Sequence, residues 1–214
     1  MKKLLELVFP PKCVLCRRIL ERGRLDLCEE CFLQAPAIKR CKGKLRFLDS
    51  WLALWHYEGK VRGSILRFKF YGKRHLAKNY GRLLAERILQ DNVEFDLLTW
   101  VPVSRRRKLR RGYDQVAVLA KAVGRELGIK PVCCLRKVRH NMAQSTVVGQ
   151  AQRQANVMGV YRVVHPERFA RKRILLLDDV ITTGATVSEC ARMLLTYGAE
   201  AVHCGAIAAA RKEH

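Results

Sequence analysis

The sequence predicts an α/β protein built on a mostly parallel sheet flanked by helices, with a small cysteine-rich module in front. Strand-length apolar runs alternate with stretches of helical period. Five of the nine cysteines fall within the first 41 residues. No internal repeat or low-complexity tract interrupts the pattern. At 214 residues the chain is long enough for one main core and a small appendage, divided here as a module over 1–48 and a main domain over 49–214.

The main domain reads in order. Residues 49–60 form an aromatic and apolar strand ending at Gly59, and 61–72 a short helix or turn. A helix over about 75–90 carries Leu76, Tyr80, Leu83, Leu84 and Ile88 at helical spacing. Residues 96–103 are a buried strand closed by a basic loop. A second helix, about 114–127, aligns Val116, Leu119, Ala120, Val123 and Leu127, with Gly128 as its stop. A short strand over 132–135 and a long polar loop from 136 to 150 follow. Residues 174–177 are a fully apolar strand, 185–197 a third helix ended by Gly198, and 201–208 the last strand.

Composition narrows the function classes. At 49% hydrophobic and 29% charged residues the chain is neither disordered nor fibrous. No run approaches bilayer length, and the apolar start at residues 1–9 is short, broken by Glu6 and followed by no small-residue cleavage site. The expectation is a cytoplasmic protein without membrane insertion. Lys and Arg number 42 against 19 Asp and Glu, a formal charge of +23. Such a field draws phosphates and nucleic acid, although solubility alone is the plainer reading.

Cys13-x-x-Cys16 and Cys28-x-x-Cys31 are two identical pairs separated by eleven residues. Each C-x-x-C turn aims two sulfurs at one point, and two turns complete a tetrahedral S4 site. Soft thiolates in that geometry favour structural Zn2+, with an iron–sulfur cluster as the other occupant. Free thiols or redox pairs fit less well without a thioredoxin-like frame. A segment this short cannot hold itself by apolar burial, so metal binding is expected to supply its folding energy. Cys41 has no C-x-x-C partner, and Cys133, Cys134, Cys190 and Cys204 read as small core residues.

The most informative stretch is 174–186, in which an apolar strand ends on Asp178 and Asp179 and a Thr182-Thr183-Gly184-Ala185-Thr186 turn opens the next helix. Open α/β sheets bind ligands at the carboxyl ends of their strands. A small, hydroxyl-bearing turn lets backbone N–H groups and hydroxyls converge on one anion, aided by the helix dipole. Carboxylates beside that cradle suit a sugar's vicinal hydroxyls, directly or through Mg2+. A polar helix cap alone would explain one hydroxyl and neither carboxylate.

Residues 178–186 resemble the phosphoribosyl pyrophosphate (PRPP) loop of type I phosphoribosyltransferases. The double C-x-x-C ahead of such a domain is similar to the ComF family of competence-related proteins. Tyr57-Glu58-Gly59, Lys69, Arg111-Gly112-Tyr113-Asp114-Gln115, Gln144, Arg153 and Asn156-Val157 agree with that likeness, which spans nearly the whole chain. One departure is Cys41-Lys42-Gly43-Lys44, where many members carry a further cysteine pair, so any second metal site is lost.

The resemblance implies the type I phosphoribosyltransferase fold with a zinc-ribbon-like module. It also implies a glycosyl transfer in which pyrophosphate leaves C1 of PRPP through an oxocarbenium-like transition state. Asp178 and Asp179 would be the catalytic pair on the ribose, and Thr182–Thr186 would hold the 5′-phosphate. Val103, Ser104 and Arg105 would take the pyrophosphate together with Mg2+. The segment 139–156, with Arg139, Gln144 and Arg153, would be the flexible loop that closes over PRPP. His140 reads as a surface residue rather than a base.

Six basic residues lie within the seven positions 105–111. They serve equally as a pyrophosphate site, a solvated turn or a contact strip for single-stranded DNA, with Arg106, Arg107 and Arg110 as phosphate contacts. Asp114 is at once a candidate helix cap and a candidate ligand. The partners implied are PRPP or a related sugar phosphate, single-stranded DNA, and a DNA-uptake helicase or channel protein. The alternative is a DNA-handling factor that keeps the pocket only as a ligand-binding site.

Overall fold

In the computed structural model the described residues are 10–21, 23, 26–38, 45–138 and 159–211. The elements are α1 (Glu29–Gln34), β1 (Ser50–His56), α2 (Gly59–Phe70), α3 (Leu76–Gln90), β2 (Leu97–Trp100), α4 (Arg105–Arg111) and α5 (Gln115–Glu126). They continue with β3 (Leu135–Lys137), β4 (Tyr161–Val163), β5 (Arg173–Ile181), α6 (Ala185–Thr196) and β6 (Ala201–Ala209). β1, β6, β5 and β2 form a four-stranded sheet in that order, every pair parallel. β3 and β4 make a separate antiparallel pair.

Both faces of the sheet are covered, which is why β5 reads as a continuous apolar run instead of an alternation. Leu175 and Leu177 point into one core with α2, α3 and α5. Ile174 and Leu176 point into the other with α6 and the β3–β4 pair. α3 and α5 close tightly because Gly81 faces Ala122. A Cβ there would lie 2.5 Å from that of Ala122.

Several sequence expectations shift. The aromatic strand stops at His56, and Gly59 opens a 12-residue helix. The stretch 105–111 is a helix rather than a loop: Ser104 caps it through Arg107 N–H, and Gly112, at φ +75°, ends it. Ser and Gly at those places are the ordinary start and stop of a helix. β3 starts at Leu135 and runs two residues into what reads as loop, because Arg136 and Lys137 pair with β4. β5 runs on to Ile181 rather than ending at Leu177, since β6 still pairs with it there. Cys134, Cys190 and Cys204 are buried, but Cys133 is exposed, on the opposite side of the chain from Cys134.

The cysteine-rich module is not self-contained. Cys13, Val14, Leu15, Leu20, Cys28 and Cys31 share one core with Ile65, Phe68, Tyr80 and Leu84. Ser64 Oγ donates to the Val14 carbonyl and Arg67 Nη2 to that of Leu15, the latter at 2.6 Å. Arg82 makes a two-pronged ion pair with Asp26 at 2.9 and 2.7 Å. Ile38 N–H donates to Leu54 and His56 N–H to Pro36, extending the edge of β1. The apolar burial the module lacks by itself is provided by α2 and α3.

Candidate functional site

The carboxyl ends of β5, β2 and β1 open onto a cavity of about 460 Å³. Its lining combines Asp178 and Asp179 with six cations: Arg62, Lys69, Arg107, Arg110, Arg111 and Lys137. The two aspartates sit inside β5 and are 8% and 5% exposed. They do not stand at an open sheet edge, as an apolar run ending at Leu177 would suggest, because the extended strand holds both under the surrounding helices.

Asp179 is fully engaged. Lys69 Nζ lies 2.7 Å from its Oδ1, and Gln115 Nε2 donates to its Oδ2 at 2.8 Å. Asp178 Oδ1 accepts the Asp179 N–H at 2.7 Å. Burial, then the neighbouring Asp179, raises Asp178 to about 8, against the pull of Lys69. On the far wall burial, then Arg107, lowers Lys137 to about 8. Tyr161 stands beside it, its hydroxyl 3.5 Å from Lys137 Nζ and its own ionisation pushed well up by burial. An excess of cations over two carboxylates makes this a site for a polyanion.

The Thr-Gly turn divides. Thr182, Gly184 and Thr186 line the cavity. Thr183 turns its hydroxyl to the Ala185 N–H at 3.4 Å, and Ala185 is buried. Gly184 has φ +82°, and a Cβ there would come within 2.5 Å of Leu45. The reason for glycine is thus the left-handed turn and the close approach of the cysteine-rich module, not only room for a phosphate.

Of the expected pyrophosphate residues, only Val103 lines the cavity. Its N–H donates to Asp114 Oδ2 at 3.3 Å, Ser104 is committed to capping α4, and Arg105 is exposed. Asp114 resolves as the cap of α5, its Oδ1 accepting from Val116 and Ala117 N–H at 3.1 and 3.0 Å. α4 itself is two-sided: Arg107, Arg110 and Arg111 face the cavity, while Arg105, Arg106 and Lys108 are exposed away from it. Arg139, Gln144, Arg153, His140 and Cys41 lie outside the described residues. Arg62, Lys137 and Tyr161 are cavity residues that the sequence reading passed over. A cation at the start of the long polar stretch 136–150 was the available signal for Lys137.

The four module cysteines converge as the spacing requires. Cys13 lies in a turn, where Arg17 N–H donates to its carbonyl, and Cys28 caps α1 with Cys31 one turn on. The sulfurs of Cys13, Cys16, Cys28 and Cys31 all lie within 4.8 Å of one another, Cys16 and Cys28 at 3.6 Å. Sulfurs around a tetrahedral zinc sit about 3.8 Å apart, given bonds of about 2.3 Å, so the set fits that ion. Burial opposes ionisation at Cys13, yet backbone N–H groups of Cys16, Cys28 and Leu15 bring it down to about 7. Burial and its cysteine neighbours drive Cys31 up.

Comparison with known proteins agrees with both halves. Residues 114–214 match the phosphoribosyl transferase domain model, and residues 4–45 match the double zinc ribbon domain. The chain is 27% identical to competence protein F of Haemophilus influenzae, over 93% of this chain and 97% of that protein. It is 26% identical to the DNA utilization protein YhgH of Escherichia coli, over 92% and 96%. It is 29% identical to competence protein ComFC of Streptococcus pneumoniae, over 70% and 64%. A glutamine PRPP amidotransferase from B. subtilis superposes with a TM-score of 0.46 and 24% identity, over 66% of this chain and 30% of that one. The parallel sheet flanked by helices is a type I phosphoribosyltransferase domain, and the cysteine cluster is a zinc ribbon site. No described helix is long and apolar enough to cross a membrane.

Proposed function

This chain is a ComF-family protein with an N-terminal zinc module, and from that premise we propose that its cavity binds PRPP together with Mg2+ in the service of DNA uptake and natural transformation. The observation that carries the reading is the meeting of a buried carboxylate pair, a Thr-Gly helix entry and six cations in one cavity. Asp178 and Asp179 would hold the ribose hydroxyls and water linked to Mg2+. Thr182, Gly184 and Thr186, with the first N–H groups of α6, would take the 5′-phosphate. Arg107, Arg110, Arg111 and Lys137 would neutralise the pyrophosphate end, with Arg139, Gln144 and Arg153 closing over it. Mg2+ supplies further charge neutralisation of a leaving pyrophosphate. The named relatives, competence and DNA-utilization proteins, support the link to DNA, and the reading places the chain in the cytoplasm.

Lys69 has a defined part in this scheme. It pairs with Asp179, and in this reading it would turn to a phosphate oxygen when sugar hydroxyls and Mg2+-linked water compete for the carboxylate. Gly184→Val would act through the left-handed turn and Leu45, so it disturbs binding by displacing the α6 entry.

A second reading rests on the outward face of α4. Arg105, Arg106 and Lys108 are exposed and do not line the cavity, which suits the phosphates of single-stranded DNA. A factor that handles DNA and uses PRPP as a bound signal would need both faces and no turnover. Calorimetry with PRPP and Mg2+ tests binding. Pyrophosphate release with added nitrogen nucleophiles then separates enzyme from sensor. Absence of PRPP binding would overturn the proposal.

A further inference from the structure

The five residues Arg111-Gly112-Tyr113-Asp114-Gln115 join α4 to α5, and the middle three have structural duties. Gly112 supplies the left-handed turn that ends α4. Tyr113 donates its hydroxyl to the Phe68 carbonyl, and Arg74 stacks on its ring at 4.8 Å while bonding the Gly112 carbonyl at 2.7 Å. Asp114 caps α5 and ties down Val103. The outer two residues face the cavity, and both carry a buried polar atom without a partner among the described residues: Arg111 Nε and Gln115 Oε1.

The orientation of Gln115 is set by its neighbour. A carboxylate next to an ammonium accepts and cannot donate, so the amide nitrogen is the end that faces Asp179. The carbonyl Oε1 is left directed away from it, on a side chain that is only 3% exposed. A buried acceptor without a donor is costly, and a buried guanidinium N–H without an acceptor equally so. The Arg111 guanidinium is further held over the Phe70 ring at 4.6 Å. Two complementary unmet groups, fixed by one connection on the wall that holds the carboxylate pair, describe a ligand that offers both an O–H and an anionic oxygen.

We infer that Gln115 is a specificity-determining residue that accepts a hydrogen bond from a sugar hydroxyl, and that Arg111 Nε–H donates to an anionic oxygen of the same ligand. The pocket thereby selects ribose phosphates over their deoxy counterparts. The inference rests on the sugar-phosphate reading above and adds to it a residue and a selectivity. A site that hydrogen-bonds a hydroxyl discriminates strongly against the analogue lacking it, because the buried acceptor is then stranded.

The test is calorimetry with ribose 5-phosphate, 2-deoxyribose 5-phosphate and 3-deoxyribose 5-phosphate, with PRPP and Mg2+ as a separate arm. In the unmodified chain at least one deoxy sugar should bind about 10- to 100-fold more weakly than ribose 5-phosphate. Gln115→Met should weaken ribose 5-phosphate and shrink that gap to about threefold or less. Gln115→Asn withdraws the carbonyl while keeping a polar group, and the same shrinkage is expected should the Met variant not fold. Lys69→Met also removes a partner of Asp179 but spares Gln115, so it should keep the gap. Arg111→Lys keeps the charge and loses the Nε–H, so it should weaken PRPP, whose pyrophosphate offers the anionic oxygen, and leave the gap among the three sugars unchanged. No gap in the unmodified chain, a gap that survives both Gln115 variants, or one lost equally in Lys69→Met would overturn the inference. So would an Arg111→Lys variant with an altered gap or with PRPP binding unweakened. PRPP binding without a gap sinks this selectivity alone, whereas a gap without PRPP binding sinks the PRPP reading and leaves the selectivity standing.

Discussion

The carboxylate pair and the cysteine cluster pose the same electrostatic problem and solve it in different ways. Each crowds ionisable groups of one kind into a buried space. Around Asp178 and Asp179 the fold supplies the counter-groups: Lys69, Gln115 and a backbone N–H. Around Cys13, Cys16, Cys28 and Cys31 it supplies backbone N–H groups, the other thiols and the more distant charge of Lys60. The first cluster is therefore balanced by the protein's own side chains, while the second calls for a cation among its sulfurs. The difference separates a site built to exchange its ligand from one built to keep it.

Removing the ion is the most severe way to break that contrast. Elemental analysis of the unmodified chain should give about one zinc per chain, and Cys16→Ser with Cys28→Ser should abolish it. Because the module shares its core with α2 and α3, the damage should spread into the main domain. A loss of about 4 kcal/mol would lower Tm by roughly 8–16 °C for a chain of this size. An unchanged Tm with zinc absent would mean the shared core holds the module unaided.

Next in size is the pocket pair. Asp179→Asn leaves Lys69 buried beside a neutral group, so both PRPP affinity and stability should fall. Affinity should drop about tenfold or more, and stability by about 3 kcal/mol in denaturant unfolding. A loss of affinity with full stability would show that Lys69 finds another partner at no cost.

Acidity sharpens the comparison further. Burial pushes Asp178 up to about 8 in the folded chain against 3.8 for an ordinary aspartate, so between those values the native state holds more protons than the unfolded one. Its contribution to the stability of the ligand-free protein should fall as pH rises from about 4 to 8 and then level off. Lys137 has the opposite sign. It titrates near 8 against 10.5, the native state holds fewer protons in that interval, and its contribution should rise from about pH 8 to 10.5. Denaturant unfolding across pH on Asp178→Asn and Lys137→Met should remove the falling and the rising limb respectively.

The smallest effect concerns the outward face of α4. Neutralising Arg105, Arg106 and Lys108 should lower the slope of log affinity against log salt for single-stranded DNA by about 2, with PRPP binding unaltered. A slope that stays the same would move the DNA surface to another part of the chain.

Periodicity places α3, the apolar run 174–177 places β5, and punctuation adds the limits of α5 at Asp114 and Gly128 and the end of α6 at Gly198. The spacing of four cysteines and the sequence Asp-Asp followed by Thr-Thr-Gly-Ala-Thr identify both sites, since metal and phosphate chemistry demand particular atoms at fixed local intervals. What tertiary structure decided is everything that depends on a distant partner. Lys69 and Gln115 lie 110 and 64 residues before Asp179, separations that no local pattern bridges, yet the packing of α2 and α5 brings both to one carboxylate. Strand pairing with β6 carries β5 past its apolar run and so buries the aspartates that sequence leaves at an open edge. Local spacing determines which atoms can do the chemistry. Only the packed helices determine their burial, their charge and the donors and acceptors left for a ligand.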